Sequence, residues 1–251
     1  MRPLFSIITI TYNAQSTLPP TLESIAEQTC KLYEHIIIDG ASSDDTVILA
    51  QQAGIPNSRL VSEPDRGLYD AMNKGLGLAT GDYVIFLNAG DSFHSPDTLQ
   101  LVADKIIEND YPGIVYGQTD IVGPDRVKIG DRHLKAPEEL TLESFGQGMV
   151  VCHQAFFALR KLTSNYITNL KYSADYEWCI RVLQRSHRNV YVGTTVADYL
   201  SEGLTTAHHY ESLGERFRIM WHYYGLFHTL KLHVSRALKH LVKRKNGTSA
   251  S

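Results

Sequence analysis

The first 110 residues alternate between short apolar runs and longer segments whose apolar positions have helical spacing. Short runs rich in β-branched residues are typical of buried strands, and they lie at residues 4–10, 36–38, 59–65 and 83–91. Helical patterns fill the intervals, up to about residue 28 and at residues 45–53, 67–79 and 95–110. Because strand and helix alternate four times, we predict an α/β fold with a mostly parallel central sheet and helices on both faces.

The pattern changes after residue 113. Residues 114–123 and 189–200 have strand character, residues 173–186 a helical pattern, and "FGQGMVVCHQAFFALRK" fits a strand pair or a strand and turn with His153 directly after a strand. Residues 125–140 are polar and irregular. Since no linker interrupts the chain, we predict one domain at residues 1–210, with halves 1–113 and 114–210, and a helical C-terminal extension at 211–251.

The predicted extension is a basic amphipathic helix over residues 214–245. Its apolar positions are spaced by three or four residues: Phe227, Leu230, Val234, Leu238 and Leu241. No acidic residue follows Glu215, whereas eight basic residues do: Arg216, Arg218, Lys231, Arg236, Lys239, Lys243, Arg244 and Lys245. Such a helix favours an anionic partner. We therefore expect a peripheral membrane contact or a homodimer through Trp221, Tyr223, Tyr224 and Phe227, with packing on the acidic body as the alternative.

Composition restricts the class of protein. With 43% hydrophobic and 20% charged residues, the 251-residue chain is neither disordered nor fibrous. No apolar stretch reaches the ~18 residues of a membrane-spanning helix, and the N-terminal residues lack the features of a secretory signal. Three widely spaced cysteines argue against a disulfide framework or a zinc site. We expect a cytoplasmic protein, placed at the inner face of the membrane if the tail binds lipid, and no nucleic-acid partner.

Polar side chains follow the strands of the first half, and Thr11, Asp39 and Asp91 stand at or just after three of the strand ends. In open α/β sheets, ligands bind outside the carboxyl ends of the strands. In "NAGD", residues 88–91, the carboxylate of Asp91 is a suitable ligand for a hard divalent cation, which would neutralise a diphosphate leaving group. The plain alternative is a set of turns, with Asp91 or Ser92 capping the next helix.

A second polar cluster lies in "EPDRGLYDAMNKG", residues 63–75. Asp65, Asp70 and Asn73 stand near a helix start, where they can reach a ribose, a phosphate or a sugar; a solvated helix face is the alternative reading. The nearby "GLGLATG", residues 75–81, has glycines but precedes a strand, whereas a dinucleotide fingerprint lies between a strand and its helix. We therefore reject a dinucleotide site there.

Taken together, these segments resemble the family 2 glycosyltransferases, which have the GT-A (Rossmann-like) fold. The matching stretches are "SIITITYNAQSTLPPTLESIAEQT", "IIIDGASSDDT", "SEPDRGLYDAMNKGLGLATGDYVIFLNAGD" and "CHQAFFALR". The resemblance implies a nucleotide-binding half at 1–113, an acceptor half at 114–210, and a donor that contains uridine or guanosine. The predicted nucleotide site comprises Thr11, Tyr12, Asn13, Asp39, Asp65, Asn73, Asn88 and Asp91.

The resemblance also implies a metal site and a catalytic base. "NAGD" fills the place of the family's metal-binding DxD segment, with Asn88 in place of an acid, so Asp91 is the predicted ligand of Mn²⁺ or Mg²⁺. Asp175, at the start of a helix, is the predicted general base, with Glu177 as the alternate and a helix cap as the structural alternative. We expect Asp70, His153, Gln154 and Glu177 to line the donor-sugar or acceptor side. A histidine near residues 208–209 completes the metal shell in some relatives, but a lone histidine is a weak signal.

The functional expectation is an inverting glycosyltransferase that moves a sugar, most simply from a UDP-sugar, to a glycan or lipid-linked acceptor in bacterial surface polysaccharide biosynthesis. One alternative is a sugar-1-phosphate nucleotidyltransferase, although the loop after the first strand, "TYNAQST", has no basic residue for a triphosphate. The other is a non-catalytic nucleotide-sugar or glycan-binding protein, which would need Asp39 but neither Asp91 nor Asp175.

Overall fold

The structure is a computed structural model and describes residues 2–201 and 209–235, with only the backbone of residues 209 and 210. Within these residues, nine strands form one mixed sheet. The strands are β1 (Phe5–Thr11), β2 (Tyr33–Asp39), β3 (Ser58–Ser62), β4 (Tyr83–Phe86), β5 (Ser92–Phe93), β6 (Ile114–Val122), β7 (Lys128–Asp131), β8 (Phe156–Leu159) and β9 (Asn189–Leu200). Their order is β3-β2-β1-β4-β8-β6-β9-β5, and β7 pairs with β6.

Helices connect the strands. They are α1 (Leu18–Ala26), α2 (Thr46–Gln52), α3 (Leu68–Leu78), α4 (Thr98–Glu108), α5 (Leu142–Phe145), α6 (Ala174–Arg185) and α7 (His209–Tyr224). Short 3-10 turns lie at His153–Ala155 and Arg160–Leu162. The predicted α/β fold is confirmed.

The first half is the parallel part of the sheet. β1 pairs in parallel with β2 and β4, and β2 pairs in parallel with β3. All seven residues of β1 are buried, as expected for a strand covered on both faces. The register places Thr11 beside Asp39 and Asp39 beside Ser62. Three polar side chains therefore meet at the carboxyl edge, which we call the rim.

The second half is mixed. β8 is antiparallel to both β4 and β6, whereas β9 is parallel to β6. The apolar run at 83–91 is interrupted: β4 ends at Phe86, the NAGD segment leaves the sheet, and β5 pairs with β9 through Ser92 and Asp198. The expectation of a strand directly before His153 is wrong, since residues 149–152 form no strand and lead into a 3-10 turn. The insertion contains β7, which the sequence pattern did not predict.

The glycines of "GLGLATG" serve packing. A Cβ atom on Gly75 would lie 2.5 Å from Ile8 Cγ2, and one on Gly81 would lie 2.7 Å from the backbone of Phe5. Only glycine therefore allows α3 and the following turn to approach β1 this closely. The rejection of a dinucleotide site agrees with this packing.

The C-terminal extension is interrupted. Gly225, at φ +81°, ends α7, and a second helical segment covers residues 226–235. The expected continuous helix over 214–245 is therefore wrong in its described part; residues 236–251, with Leu238 and Leu241, lie outside the described residues. α7 packs on the body through the buried Ile219 and Met220. No helix in the described ranges is long and apolar enough to cross a bilayer.

The tyrosines at the end of α7 contact the body. The Tyr223 hydroxyl donates to Glu177 Oε1 at 2.6 Å, and the Tyr224 hydroxyl donates to the Leu142 carbonyl at 2.9 Å. Tyr223 and Tyr224 therefore pack on the chain itself, and a homodimer through this part of the extension stays a prediction. Phe227, by contrast, is 90% exposed.

His35 in β2 makes stability sensitive to acid. Its ring lies between the hydroxyls of Thr9 (3.0 Å) and Ser58 (3.3 Å), and burial lowers its pKa from 6.5 to about 3. Between these two pH values the unfolded chain binds a proton that the folded chain does not, so stability falls as the pH drops below 6.5. We expect this residue alone to remove about 2 kcal/mol of unfolding free energy between pH 7 and pH 5, measured by urea denaturation.

The matched variant is His35→Gln, which keeps a neutral hydrogen-bonding side chain. It should lose that share of the pH dependence, while contributions from other groups remain in both proteins. Identical pH dependence in the two proteins would contradict the assignment.

Candidate active site

Asp39 is the buried centre of the rim. Its Oδ1 accepts hydrogen bonds from the hydroxyls of Thr11 (3.0 Å) and Ser42, and its Oδ2 accepts from the Ser42 amide (2.9 Å) and the Ser62 hydroxyl (2.7 Å). Burial acts to raise the pKa of Asp39, but these hydrogen bonds outweigh it and hold the pKa below the usual 3.8. The carboxylate is therefore ionised and fixes the start of the β2–α2 loop. These four hydrogen bonds occupy the acceptor positions of the Asp39 carboxylate within the protein. A contact of Asp39 with a nucleotide base therefore has no support from the free carboxylate and stays a prediction.

The loop around Gly40 brings three other predicted residues to the same place. A Cβ on Gly40 would lie 2.6 Å from Asp65 Oδ2 and 3.2 Å from Tyr12 Cδ2, so both side chains cover this glycine. Tyr12 is 68% exposed, which leaves its ring free to stack on a planar ligand. Asn13, in the left-handed region at φ +47°, accepts the Ser43 amide at 2.9 Å. Tyr12, Asn13 and Asp65 thus share one open side of the rim.

Asp70 and Asn73 of α3 have structural partners. Asp70 Oδ2 accepts the Arg66 amide at 3.0 Å, which closes the first turn of α3. The Asn73 amide makes two bonds to the backbone of Tyr166, donating to its carbonyl (3.0 Å) and accepting from its N–H (2.7 Å). Asp70 makes a contact at the start of α3, where the alternative reading had expected only a solvated helix face. For Asn73 the structure shows a clamp on the segment before α6, and contacts of either residue with substrate stay predictions.

Asp91 lies at the inner end of the NAGD segment and is 5% exposed. Its Oδ2 accepts from Gln154 Nε2 at 2.7 Å, and its Oδ1 accepts from the Leu200 amide at 3.1 Å. Burial raises the pKa of Asp91 to about 6, against the opposing effects of Gln154, His153, the Leu200 amide and Arg126. Asp91 and Gln154, which were predicted separately as a metal ligand and a sugar contact, are therefore in direct contact. The buried carboxylate is suited to a positively charged partner.

A chain of hydrogen bonds connects Asn88 to Asp175. His153 Nδ1 lies 3.3 Å from Asp175 Oδ2, and His153 Nε2 lies 3.3 Å from Asn88 Nδ2. Since a carboxylate only accepts, Nδ1 carries the proton toward Asp175, and the bare Nε2 accepts from the Asn88 amide. This arrangement turns Asn88 Oδ1 away from His153. Three residues predicted from the sequence, Asn88, His153 and Asp175, thus form one hydrogen-bonded chain, and the predicted residues Asp91 and Gln154 form a bonded pair beside it.

Asp175 is set in the first turn of α6, with a side chain that is 17% exposed. Its Oδ1 accepts the Tyr69 hydroxyl at 3.2 Å. Burial acts to raise the pKa of Asp175, but the hydrogen bond from His153 and the positive charge of Arg216 outweigh it, and the net pKa lies below 3.8. Asp175 is ionised at neutral pH and can accept a proton, as a general base must.

The residues at the NAGD segment fit a hard divalent cation. Asn88 Oδ1 is buried and has no hydrogen-bond partner among the described residues, and each Asp91 oxygen keeps a second lone pair. Amide and carboxylate oxygens are the ligands that Mg²⁺ and Mn²⁺ prefer. The histidines at 208 and 209 lie outside the described side chains.

A second group with metal-ligand character lies at the β5–β9 edge. His94, Asp120 and Asp198 bring one ligand atom each within 4.8 Å of one another. Lys128 Nζ lies 3.0 Å from Asp120, and His94 Nδ1 lies 2.8 Å from Asp198. The Lys128 ammonium group already supplies positive charge to Asp120, so this group is partly neutralised within the protein.

Glu177 is engaged on the other side of α6. Arg181 Nε donates to both of its oxygens at 2.8 and 2.9 Å, and Tyr223 donates from α7. The ion pair is buried within α6, and the Tyr223 hydrogen bond joins α6 to the extension. Asp175 is the more exposed of the two carboxylates, at 17% against 5% for Glu177. The roles of Glu177 as the alternate base and as a sugar contact stay predictions.

Three residues that sequence reasoning missed hold the site in place. Thr21 of α1 donates to the Asp91 carbonyl (2.6 Å) and accepts the Gly90 amide (3.0 Å). Arg126 from the β6–β7 turn donates to the Gly90 carbonyl at 2.7 Å and contacts the Ser92 hydroxyl. Glu215 of α7 binds the segment before α6. No local pattern marks them, because Thr21 lies in an ordinary helix and Arg126 in the irregular insertion.

Thr21 gives a test of the NAGD geometry. Thr21→Val keeps the shape but leaves the Gly90 amide without its acceptor, so we expect a loss of about 1–3 kcal/mol in unfolding free energy and weaker cation binding. Urea unfolding and a Mn²⁺ titration measure the two effects. Thr168→Val, at an exposed threonine, is the control and should change neither quantity. A Thr21→Val protein as stable as wild type would show that the Thr21 hydrogen bonds do not hold the NAGD segment.

Comparison with known proteins identifies the class. The profile described as Glycosyl transferase family 2 matches residues 6–166. A PGL/p-HBAD biosynthesis glycosyltransferase of Mycobacterium bovis is 38% identical over 186 residues, which cover 71% of this chain and 69% of the relative. The chain therefore belongs to glycosyl transferase family 2 and is a glycosyltransferase. The amylovoran biosynthesis glycosyltransferase AmsB of Erwinia amylovora is 27% identical over 211 residues, covering 78% of this chain and 69% of that protein.

Solved structures confirm the GT-A fold. TarS residues 1–349 of S. aureus, in complex with UDP-GlcNAc, superimposes with a TM-score of 0.71 at 19% identity over 89% of this chain. The present chain spans 65% of that TarS chain. The mannosyltransferase PcManGT of Pyrobaculum calidifontis, in complex with GDP-Man and Mn²⁺, gives a TM-score of 0.65 at 17% identity, covering 100% of this chain and 81% of that one.

Proposed function

We propose that this chain is an inverting glycosyltransferase that uses a nucleotide-diphospho-sugar, most simply a UDP-sugar, and transfers the sugar to a glycan or lipid-linked acceptor. The observation that carries the proposal is the connected group at the rim: Asp91 bonded to Gln154, and Asn88 linked through His153 to Asp175. It places a buried carboxylate suited to a cation near an ionised carboxylate suited to a proton. Neither the nucleotidyltransferase nor the non-catalytic alternative requires this pair.

The proposed reaction is an in-line displacement. An acceptor hydroxyl attacks the anomeric carbon, the bond between that carbon and the β-phosphate oxygen breaks, and the hydroxyl proton passes to Asp175. Because His153 and Tyr69 both donate to Asp175, the carboxylate is held in one orientation before the acceptor arrives. The configuration at the anomeric carbon inverts, since there is a single displacement.

Asp91 and Asn88 would hold Mn²⁺ or Mg²⁺. When bound, the cation supplies positive charge to the departing diphosphate. The protein prepares this position by fixing the Asp91 backbone through Thr21 and the Gly90 carbonyl through Arg126. The complex of PcManGT with Mn²⁺ supports a divalent cation for this chain.

The nucleotide is assigned to the side of the rim where Tyr12, Asn13 and Asp65 lie around Gly40. An exposed ring beside polar side chains is suited to a base and its ribose. The UDP-GlcNAc complex of TarS and the GDP-Man complex of PcManGT make uridine and guanosine the two candidates. The relatives' roles in PGL/p-HBAD and amylovoran biosynthesis support a glycolipid or polysaccharide product.

We assign a peripheral membrane contact to the described end of the extension, where Trp221, Phe227, Leu230 and Val234 are exposed apolar side chains. Together with the basic residues of the tail they suit an anionic lipid surface that presents a lipid-linked acceptor. Co-sedimentation with phosphatidylglycerol vesicles tests this contact: binding should weaken with salt, and equal binding to neutral vesicles would contradict it.

A donor panel tests the proposed function directly. The protein is incubated with UDP- and GDP-sugars and Mn²⁺, and free UDP or GDP is measured with and without candidate glycan or lipid acceptors. We expect release from one or a few UDP-sugars, with faster release when the acceptor is present. Release of pyrophosphate from UTP and a sugar 1-phosphate would instead support the nucleotidyltransferase.

A further inference from the structure

α7 is bonded to the segment that sets the position of Asp175. The buried carboxylate of Glu215 accepts the backbone N–H groups of Lys171 (2.8 Å), Tyr172 (2.9 Å) and Ser173 (3.0 Å). Three consecutive amides on one carboxylate form charge-assisted bonds that fix the segment. The last of the three residues is the N-cap of α6, two positions before Asp175. The extension therefore helps to position the candidate base.

The next residue, Arg216, has no hydrogen-bond or ion-pair partner in the part of the chain that the structure describes. It is half-buried, and its Nε is fully buried without a hydrogen-bond acceptor within the described residues. No carboxylate among those residues lies within the 4.0 Å of an ion pair with it. A buried donor without a partner costs about 1–3 kcal/mol, and more when it is charged. Such a group in a native fold points to a ligand or an ion that completes it.

Arg216 lies near the candidate base without touching it. Its charge is one of the influences that lower the pKa of Asp175, so the two groups are within electrostatic range, yet they form no ion pair. Arg216 is not among the leading influences on Asp91. The Arg216 guanidinium therefore has a negative charge in electrostatic range but no direct anionic partner among the described residues.

We propose that Arg216 is a phosphate-binding residue at the Asp175 side of the pocket, held there by the three hydrogen bonds that the neighbouring Glu215 accepts. A guanidinium presents its N–H groups in a planar fork that matches phosphate oxygens. The inference rests on the proposed function, because the phosphate belongs either to the donor diphosphate or to a phosphate on a lipid-linked acceptor. Its position beside the base, and on α7, gives the extension a direct part in substrate binding.

The test compares Arg216→Gln with Arg218→Gln, which removes the same charge from an exposed site on the same helix. Binding of UDP and of uridine is measured by calorimetry, and the acceptor KM is measured with the donor found in the panel. If the phosphate is the donor's, Arg216→Gln weakens UDP binding by about 10–100-fold, leaves uridine binding unchanged, and Arg218→Gln binds UDP within about twofold of wild type.

If the phosphate is the acceptor's, UDP binding is unchanged and the acceptor KM rises by a similar factor. Arg216→Lys, which keeps the charge, should recover part of the loss in either case, which a purely structural role would not produce. Wild-type values for Arg216→Gln in both assays would overturn the inference. Equal losses of binding in Arg216→Gln and Arg218→Gln would also overturn it, since the effect would then come from the net charge of the helix. If the wild-type protein releases no nucleotide from any donor, but Arg216→Gln still binds UDP more weakly than wild type does, only the proposed function is overturned.

Discussion

Asp175→Asn should lower kcat by about 10²–10⁴-fold while the affinity for UDP stays close to that of wild type. The amide keeps the size of the side chain, and its single oxygen can still accept from either His153 or Tyr69. It cannot take the proton of the acceptor hydroxyl. Steady-state kinetics of nucleotide release, together with calorimetric UDP binding, separates the chemical step from donor binding.

Glu177→Gln is the matched comparison, since Glu177 is the other acid at the start of α6 and the alternate base. Its carboxylate is in a buried ion pair with Arg181, so we expect a loss of stability, with kcat reduced much less than in Asp175→Asn. A normal turnover rate in Asp175→Asn, or a larger kcat loss in Glu177→Gln, would transfer the base role away from Asp175.

Asp91→Asn should remove most of the Mn²⁺-dependent part of UDP affinity, an effect of about 10–100-fold. The substitution takes away the negative charge at the NAGD segment, whereas the nucleoside contacts near Tyr12 and Asp65 remain. UDP titrations with and without Mn²⁺ measure the difference. If the UDP affinity changes neither with Mn²⁺ nor with the mutation, the metal-assisted mechanism is wrong.

The raised pKa of Asp91 adds a pH test to the same titration. A cation competes with a proton for this carboxylate, and with a pKa of about 6 the ionised fraction falls as the pH drops from 7 to 5. Mn²⁺ affinity should therefore decrease by about tenfold over this range. Asp91→Asn should lack this dependence.

Much of the rim could be predicted from the sequence for a simple geometric reason. Parallel strands that end on polar residues bring those residues to one edge, as Thr11, Asp39 and Ser62 show. Here the backbone alone decides the position. Asp175 was predicted from the resemblance to the family 2 glycosyltransferases together with its place at a helix start, and its role as the base stays a prediction.

What the sequence could not predict are side-chain contacts between distant segments. Asn73 and Tyr166 are 93 residues apart, and Glu215 and Ser173 are 42 apart. An amide that clamps a backbone and an amide that binds a ligand have the same local pattern, so Asn73 resembled a substrate contact. Glu177 was ambiguous for the same reason, since only the fold brings Arg181 and Tyr223 to it.

The most direct test of the account is a crystal structure with UDP and Mn²⁺, with anomalous data collected at the manganese absorption edge. We predict one anomalous peak within about 2.0–2.4 Å of an Asp91 carboxylate oxygen, with the uracil on the Tyr12 side of the rim. A peak at His94, Asp120 and Asp198 instead, or a nucleotide bound away from Asp39 and Asp91, would contradict the account.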